Sequence, residues 1–166
     1  MNPISTDLIN QTSPYKVKQV SKEDFYFDTD FDVRYKIGFV EDFSIWEEDA
    51  FQFYIINSNN KPSPRDIKVK LTILSCINAF FVANPSILLY ICDTGDDKQS
   101  ARNRLFCAWL NEPACKRLYY FENAHIIAEG QDNYMAVIVQ LNNPRLSQII
   151  KDFEEFAELM QEKPDA

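Results

Sequence analysis

The chain has 166 residues, 46% of them hydrophobic and 25% charged, with a formal net charge of -8, which suits one globular core rather than a disordered or fibrous polypeptide. Acidic flanks repel phosphate backbones, so general nucleic-acid binding is excluded. No apolar run reaches the ~18 residues of a membrane span, and only 3 glycines are available for a phosphate-cradling loop.

The first 13 residues are polar and read as a flexible arm, with a single α+β domain expected over 14–162. They show neither a basic flank nor an apolar h-region, so no signal peptide is expected and the cytoplasm is the expected compartment. From Tyr15 the pattern becomes short strands. "YKVKQV" alternates, "DFYFDTD" is brief and aromatic, and "DVRYKIGFV" alternates through Val33, Tyr35, Ile37 and Phe39. "FQFYIIN" closes a series of four, as in an antiparallel meander with one wet face. Before it lies "EDFSIWEEDA", acidic with two apolar anchors.

"SNNKPSPRD" announces a helix. Ser63 suits the cap, Pro64 the first helical position, and Asp66 the third residue after the cap. The helix is expected to run from Pro64 to about Ala83. Ile67, Leu71, Leu74, Ile77, Phe80 and Phe81 form its apolar face, and Lys68, Thr72 and Ser75 its polar strip. Asn84-Pro85 stops it. "SILLYIC" is then a central strand, expected to run parallel to a neighbour. A helix from about Gly95 to Leu110 should bury Ala101, Leu105, Ala108 and Trp109. Two strands meet in a hairpin around Glu129-Gly130-Gln131-Asp132. A last helix after Asn143-Pro144 carries one apolar and one acidic face. The elements predict an α+β fold: one mixed, mainly antiparallel sheet with helices packed on its faces.

Chemistry concentrates in "CDTGDDKQSARNRLF". Asp93, Asp96 and Asp97 could terminate a strand and cap the helix, the preferred reading. They could also donate oxygens to a hard metal; an anion could instead rest on the free N–H groups of the helix start, where the three acids repel it unless Lys98 and Arg102 outweigh them. Arg102 and Arg104 sit on different helix faces. His125 is the sole imidazole. Asp93, Asp96, Asp97, Arg102, Arg104 and His125 are therefore the candidate ligand- or partner-binding residues. Cys76, Cys92, Cys107 and Cys115 form no CxxC pair and read as buried reduced thiols, so no metal and no cofactor is expected. The function expected is a small non-enzymatic module that binds a protein partner or self-associates.

Two resemblances add to this. "YICDTGDDKQSARNRLF", followed by Trp109, resembles the signature of an uncharacterised bacterial family of Bacteroidetes type, which implies a bacterial setting and no particular activity. The element order is similar to the GCN5-related N-acetyltransferase fold. That likeness implies an acyl-CoA-dependent N-acyltransferase or a degenerate relative, with the coenzyme pyrophosphate at "NSNNKPSPRDIK". Its glycine loop is replaced there by Pro62 and Pro64, and Phe106 stands where that family often has a general-acid tyrosine.

Overall fold

A computed structural model describes residues 1–92 and 99–161, with the side chains of Gln99 and Ser100 left aside. Seven strands form one sheet: β1 (Lys18–Gln19), β2 (Asp24–Asp28), β3 (Arg34–Glu41), β4 (Ala50–Asn57), β5 (Ile87–Ile91), β6 (Tyr119–Ala128) and β7 (Gln131–Gln140). Five helices accompany them: α1 (Thr6–Thr12), α2 (Ile67–Ala83), α3 (Gln99–Leu110), α4 (Pro113–Lys116) and α5 (Leu146–Met160). The strand order is β1-β2-β3-β4-β5-β7-β6. β1–β2, β2–β3, β5–β7 and β6–β7 are antiparallel. The Ile87 amide donates to the Asp49 carbonyl (2.8 Å), so β4 and β5 begin side by side and run the same way. That is the parallel neighbour expected for β5, and it makes the sheet mixed. No helix among the described residues is long and apolar enough to cross a membrane.

The chain divides into two compact units, Met1–Val40 with Phe53–Ser86 and Glu41–Gln52 with Ile87–Ala166. The first is built on aromatic packing. Phe25, Phe27, Val33, Ile37, Phe39 and Phe53 are all buried, as strand alternation requires. The Phe80 ring of α2 stacks on Phe39 (4.7 Å, 10°), and Phe39 meets Phe53 (5.4 Å). Gly38 leaves room for the Tyr54 side chain, whose ring a Cβ would strike, and the Tyr54 hydroxyl donates to Asp24.

Three expectations for this unit need correction. The helix begins at Ile67, not Pro64, and the cap is Asp66, whose carboxylate accepts from the Lys68 amide (2.9 Å). Asp66 is itself extended (φ -143°, ψ 109°) and supplies the capping carboxylate, so the helical turn starts only after it. Of the expected polar strip Lys68 is exposed, but Thr72 is 0% and Ser75 7% exposed, whereas Ile67, Leu71 and Val82 face solvent. Each hydroxyl donates to the carbonyl four residues back, Thr72 to Lys68 (2.7 Å) and Ser75 to Leu71 (2.8 Å). A hydroxyl satisfied in this way can go inside.

What covers Thr72 and Ser75 is the segment read as a flexible arm. Its residues 6–12 form α1, started by Ser5, whose hydroxyl accepts from the Leu8 amide (3.1 Å). Ile4 and Ile9 are buried. The Thr12 hydroxyl donates to Ser75 (2.8 Å) and the Ser13 hydroxyl to Thr72 (3.1 Å). Asn2 is joined to the other end of α2: its amide donates to Asn84 Oδ1 (2.7 Å) and its side chain to the Ala83 carbonyl (2.9 Å). Asn84 is the C-cap, so one of the last carbonyls of α2 is satisfied from the chain's beginning.

The second unit sandwiches β5, β7 and β6 between α3 and α5. Alternation assigns the faces. Ile87, Leu89, Ile126, Met135, Val137 and Val139 meet Ile149 and Phe153 of α5, with Trp46 and Ala50 in the same cluster. Trp46 and Ile45 are thus the anchors of the acidic segment. Trp46 also donates from Nε1 to Asp152 Oδ2 (3.1 Å). The hairpin turn is Glu129-Gly130, both at positive φ (53° and 72°), the two-residue geometry that matches strand twist.

On the opposite face, α3 does not bury Ala101, Leu105 and Ala108 as expected. It presents Phe106 and Leu110, 3% and 1% exposed, while Leu105 is 47% exposed. Phe106 packs on Tyr90 (4.1 Å) and Phe121 (6.3 Å). Its large ring fills more of the sheet surface than two alanines could. The short α4, unforeseen in the sequence, follows with Pro113 at its start and Cys115 buried.

Candidate functional site

Polar and reactive groups gather on the α3 face of the second unit. Successive outward positions of β5 place Tyr90 and Cys92 side by side. Tyr90 pairs with Ala136 of β7, which pairs with Asn123 of β6. Ala136, only 1% exposed, thus lies between Tyr90 and Asn123. Over it α3 brings Asn103, Phe106 and Cys107, three and four residues apart and hence on one helix face. The Asn123 amide donates to Asn103 Oδ1 (2.5 Å), and the Cys107 thiol approaches the same oxygen (3.6 Å).

Burial raises the pKa of Tyr90, and its hydrogen-bonded neighbour Cys92 adds to the effect. Burial likewise raises the Cys92 thiol, while Tyr90 and Arg102 pull it back. Cys107 is raised by burial. These thiols are held protonated and are poor nucleophiles, since the thiolate is the reactive form. All four cysteines are free; Cys76, Cys92 and Cys115 are buried as expected, and Cys107 is half-buried.

The sequence-derived candidates separate. Arg102 is half-buried, with its charge felt at Tyr90 and Cys92. Arg104 is exposed. His125 lies on β6, where its Nε2 meets Asp132 Oδ1 (2.6 Å) and its ring stacks on Tyr134 (4.7 Å, 10°). Asp93, Asp96 and Asp97 lie outside the described residues. Among the described residues, no group of three or more His, Cys, Asp or Glu side chains is placed to hold a metal ion. Asn103 and Asn123 were missed from sequence. The helical spacing of Asn103, Phe106 and Cys107 was the available signal, but it acquires meaning only once β6 is known to lie beneath.

The α5 face of β6 holds a second polar group. The Tyr120 hydroxyl donates to Glu122 Oε2 (2.7 Å), and Glu154 of α5 stands against the same carboxyl. Burial raises the Glu122 pKa, Tyr120 lowers it, and Glu154 raises it again. A folded-state pKa above the unfolded one gives stability that is full in acid and lost as pH rises through the folded value. Glu122→Gln should therefore melt higher than the parent at pH 7–8, on the order of 1–3 °C. The difference should vanish near pH 4; thermal melts across that range check it.

The free border of β6 is the third feature. β6 pairs with β7 residue for residue over ten positions, with no bulge. The Leu118 carbonyl accepts from the Leu141 amide (3.0 Å), so even-numbered residues face β7. Odd-numbered residues then point their N–H and C=O outward. The Ile127 amide is taken by the Gln161 side chain (3.2 Å). The outward backbone groups of Phe121, Asn123 and His125 meet no partner among the described residues.

Comparison with curated proteins gives no match. A family sequence profile matches residues 65–155, a span that contains α2, β5, α3, β6, β7 and Arg102, Arg104 and His125. The chain belongs to that family, DUF6169, a family of unknown function.

Proposed function

We propose that this protein is a small non-enzymatic interaction module, working in the bacterial cytoplasm, that engages another polypeptide along the free edge of β6. The observation that carries this reading is the run of outward backbone groups at Phe121, Asn123 and His125. Strand edges of this length are ordinarily blunted by proline, lysine, a bulge or brevity. β1, the other border strand, is only 2 residues long. β6 has 10 residues, none of them Pro or Lys. Strand addition draws affinity from the main chain and specificity from alternate side chains. The raised thiols and mutually bonded amides of the α3 face suit a packed support rather than a reacting centre.

A photoreactive phenylalanine analogue in place of Ile127, 45% exposed on this strand, should yield one discrete protein adduct in growing cells. Irradiation that gives no adduct would overturn the reading.

Element order favours a second reading, a relative of the acyl-CoA-dependent N-acyltransferases. Two observations weigh toward a degenerate one. The α2 N-terminus is occupied by the chain's own Asp66 carboxylate, which also receives the Tyr15 hydroxyl, and a second anion there would be repelled. Phe106 is 3% exposed and has no proton to donate. Calorimetry with acetyl-CoA is expected to show no saturable heat; a saturable isotherm would favour the enzyme reading.

A further inference from the structure

We infer that the partner of β6 is a second copy of the same strand, paired antiparallel about a two-fold axis through Asn123. The inference rests on the interaction reading above and names its partner. The outward groups available for pairing belong to Phe121, Asn123 and His125, a set symmetric about its middle member. In an antiparallel ladder, outward-facing residues must meet outward-facing residues. With the axis through Asn123, Phe121 meets His125 of the second copy, Asn123 meets Asn123, and His125 meets Phe121. Every open group finds an open group, giving about six backbone hydrogen bonds, and Gln161 keeps its bond to Ile127.

Neighbouring registers fail on two counts. An axis through Glu122 sets that carboxylate directly opposite its copy, and like charges facing one another destabilise a strand pair. An axis through Ala124 directs Phe121 to Ile127, whose amide Gln161 already holds. The Asn123 register instead puts Glu122 opposite Ala124. It also sets the Phe121 ring against the His125 imidazole and brings Tyr119 over the exposed Ile127. In this register an identical strand fills every open position of the edge. Each copy carries a net charge of -8, so mutual repulsion opposes pairing and salt should strengthen it.

The test uses the full chain, with sedimentation equilibrium from micromolar to millimolar concentration and amide hydrogen exchange in parallel. A species of twice 19.4 kDa is expected to grow with concentration and with added sodium chloride. The amides of Phe121, Asn123 and His125 should gain protection as it forms, while those of Tyr120, Glu122 and Ala124 stay protected throughout. His125→Pro removes one outward donor per copy without touching the β7 ladder and should weaken the dimer at least about tenfold. If that variant does not fold, the exchange pattern of the parent protein decides alone. A monomer at all concentrations would overturn self-pairing, as would a dimer whose three outward amides exchange at the monomer's rate. A monomer that still yields an adduct at position 127 would overturn self-pairing and leave the interaction reading standing.

Discussion

Phe153→Ala is expected to lower the stability of the protein by about 3–5 kcal/mol. Phe153 is 1% exposed and lies one turn beyond Ile149, which is also 1% exposed. Both enter the cluster formed by Trp46, Leu89, Ile126, Val137 and Val139. Removing the ring forfeits its transfer from water and leaves a cavity that β-branched neighbours close poorly, because their side chains are stiff. Asp152 adds a reason why α5 will not slide to fill it. It accepts from Trp46 on one oxygen (3.1 Å) and from Gln148 on the other (2.7 Å). For a chain of this length the loss corresponds to a melting temperature lower by about 10 °C, read by circular dichroism. Phe156→Ala, at a half-buried position packed against the same cluster, should lose clearly less. A change under about 1 kcal/mol for Phe153→Ala would mean that α5 does not hold this position.

Phe80→Ala should cost a similar amount, about 3–5 kcal/mol, by a partly different route. Phe80 is fully buried. It stacks on Phe39 at 4.7 Å and receives Phe81 edge-on at 5.1 Å and 79°. Aromatic pairs in these geometries contribute about 0.5–1.5 kcal/mol beyond area burial. Phe80→Leu separates the two effects: it restores most of the volume and should recover more than half of the loss. Urea denaturation with an unchanged slope is the check, since a changed slope would report on the unfolded chain instead. If Phe80→Leu proves as damaging as Phe80→Ala, ring geometry outweighs volume at this site.

Much of this fold could be read locally. Ile37 and Phe39 alternate because β3 has one dry face, and the structure buries both, together with Val33 just before the strand. Ile87 to Tyr90 form a continuous apolar run because β5 is covered on both faces. Glu129-Gly130 marked the hairpin through the backbone geometry its turn needs. What escaped was decided by distant partners. α1 is 7 residues long, too short to show a helical period or to stand alone. Thr72 and Ser75 looked solvent-facing because residue type records a hydroxyl's polarity but not its internal acceptor. The α3 segment offers two rival stripes, and only the presence of Tyr90 and Phe121 beneath it selects Phe106 over Leu105. For the candidate site, Arg102 and His125 were visible as residue types, while the Asn103–Asn123 bond and the open border of β6 depend on strand order. Neither periodicity nor composition encodes that order.

The attachment of α1 bears on how the protein can be handled. A protease that clipped the chain after Ser13 would strip α2 of its covering layer and open two hydroxyls to water. It would also remove the amides that Asn2 lends to Asn84 and Ala83. Shortened expression products that begin at Tyr15 should therefore be less soluble than the whole chain, and a purification tag is better fused at the other terminus.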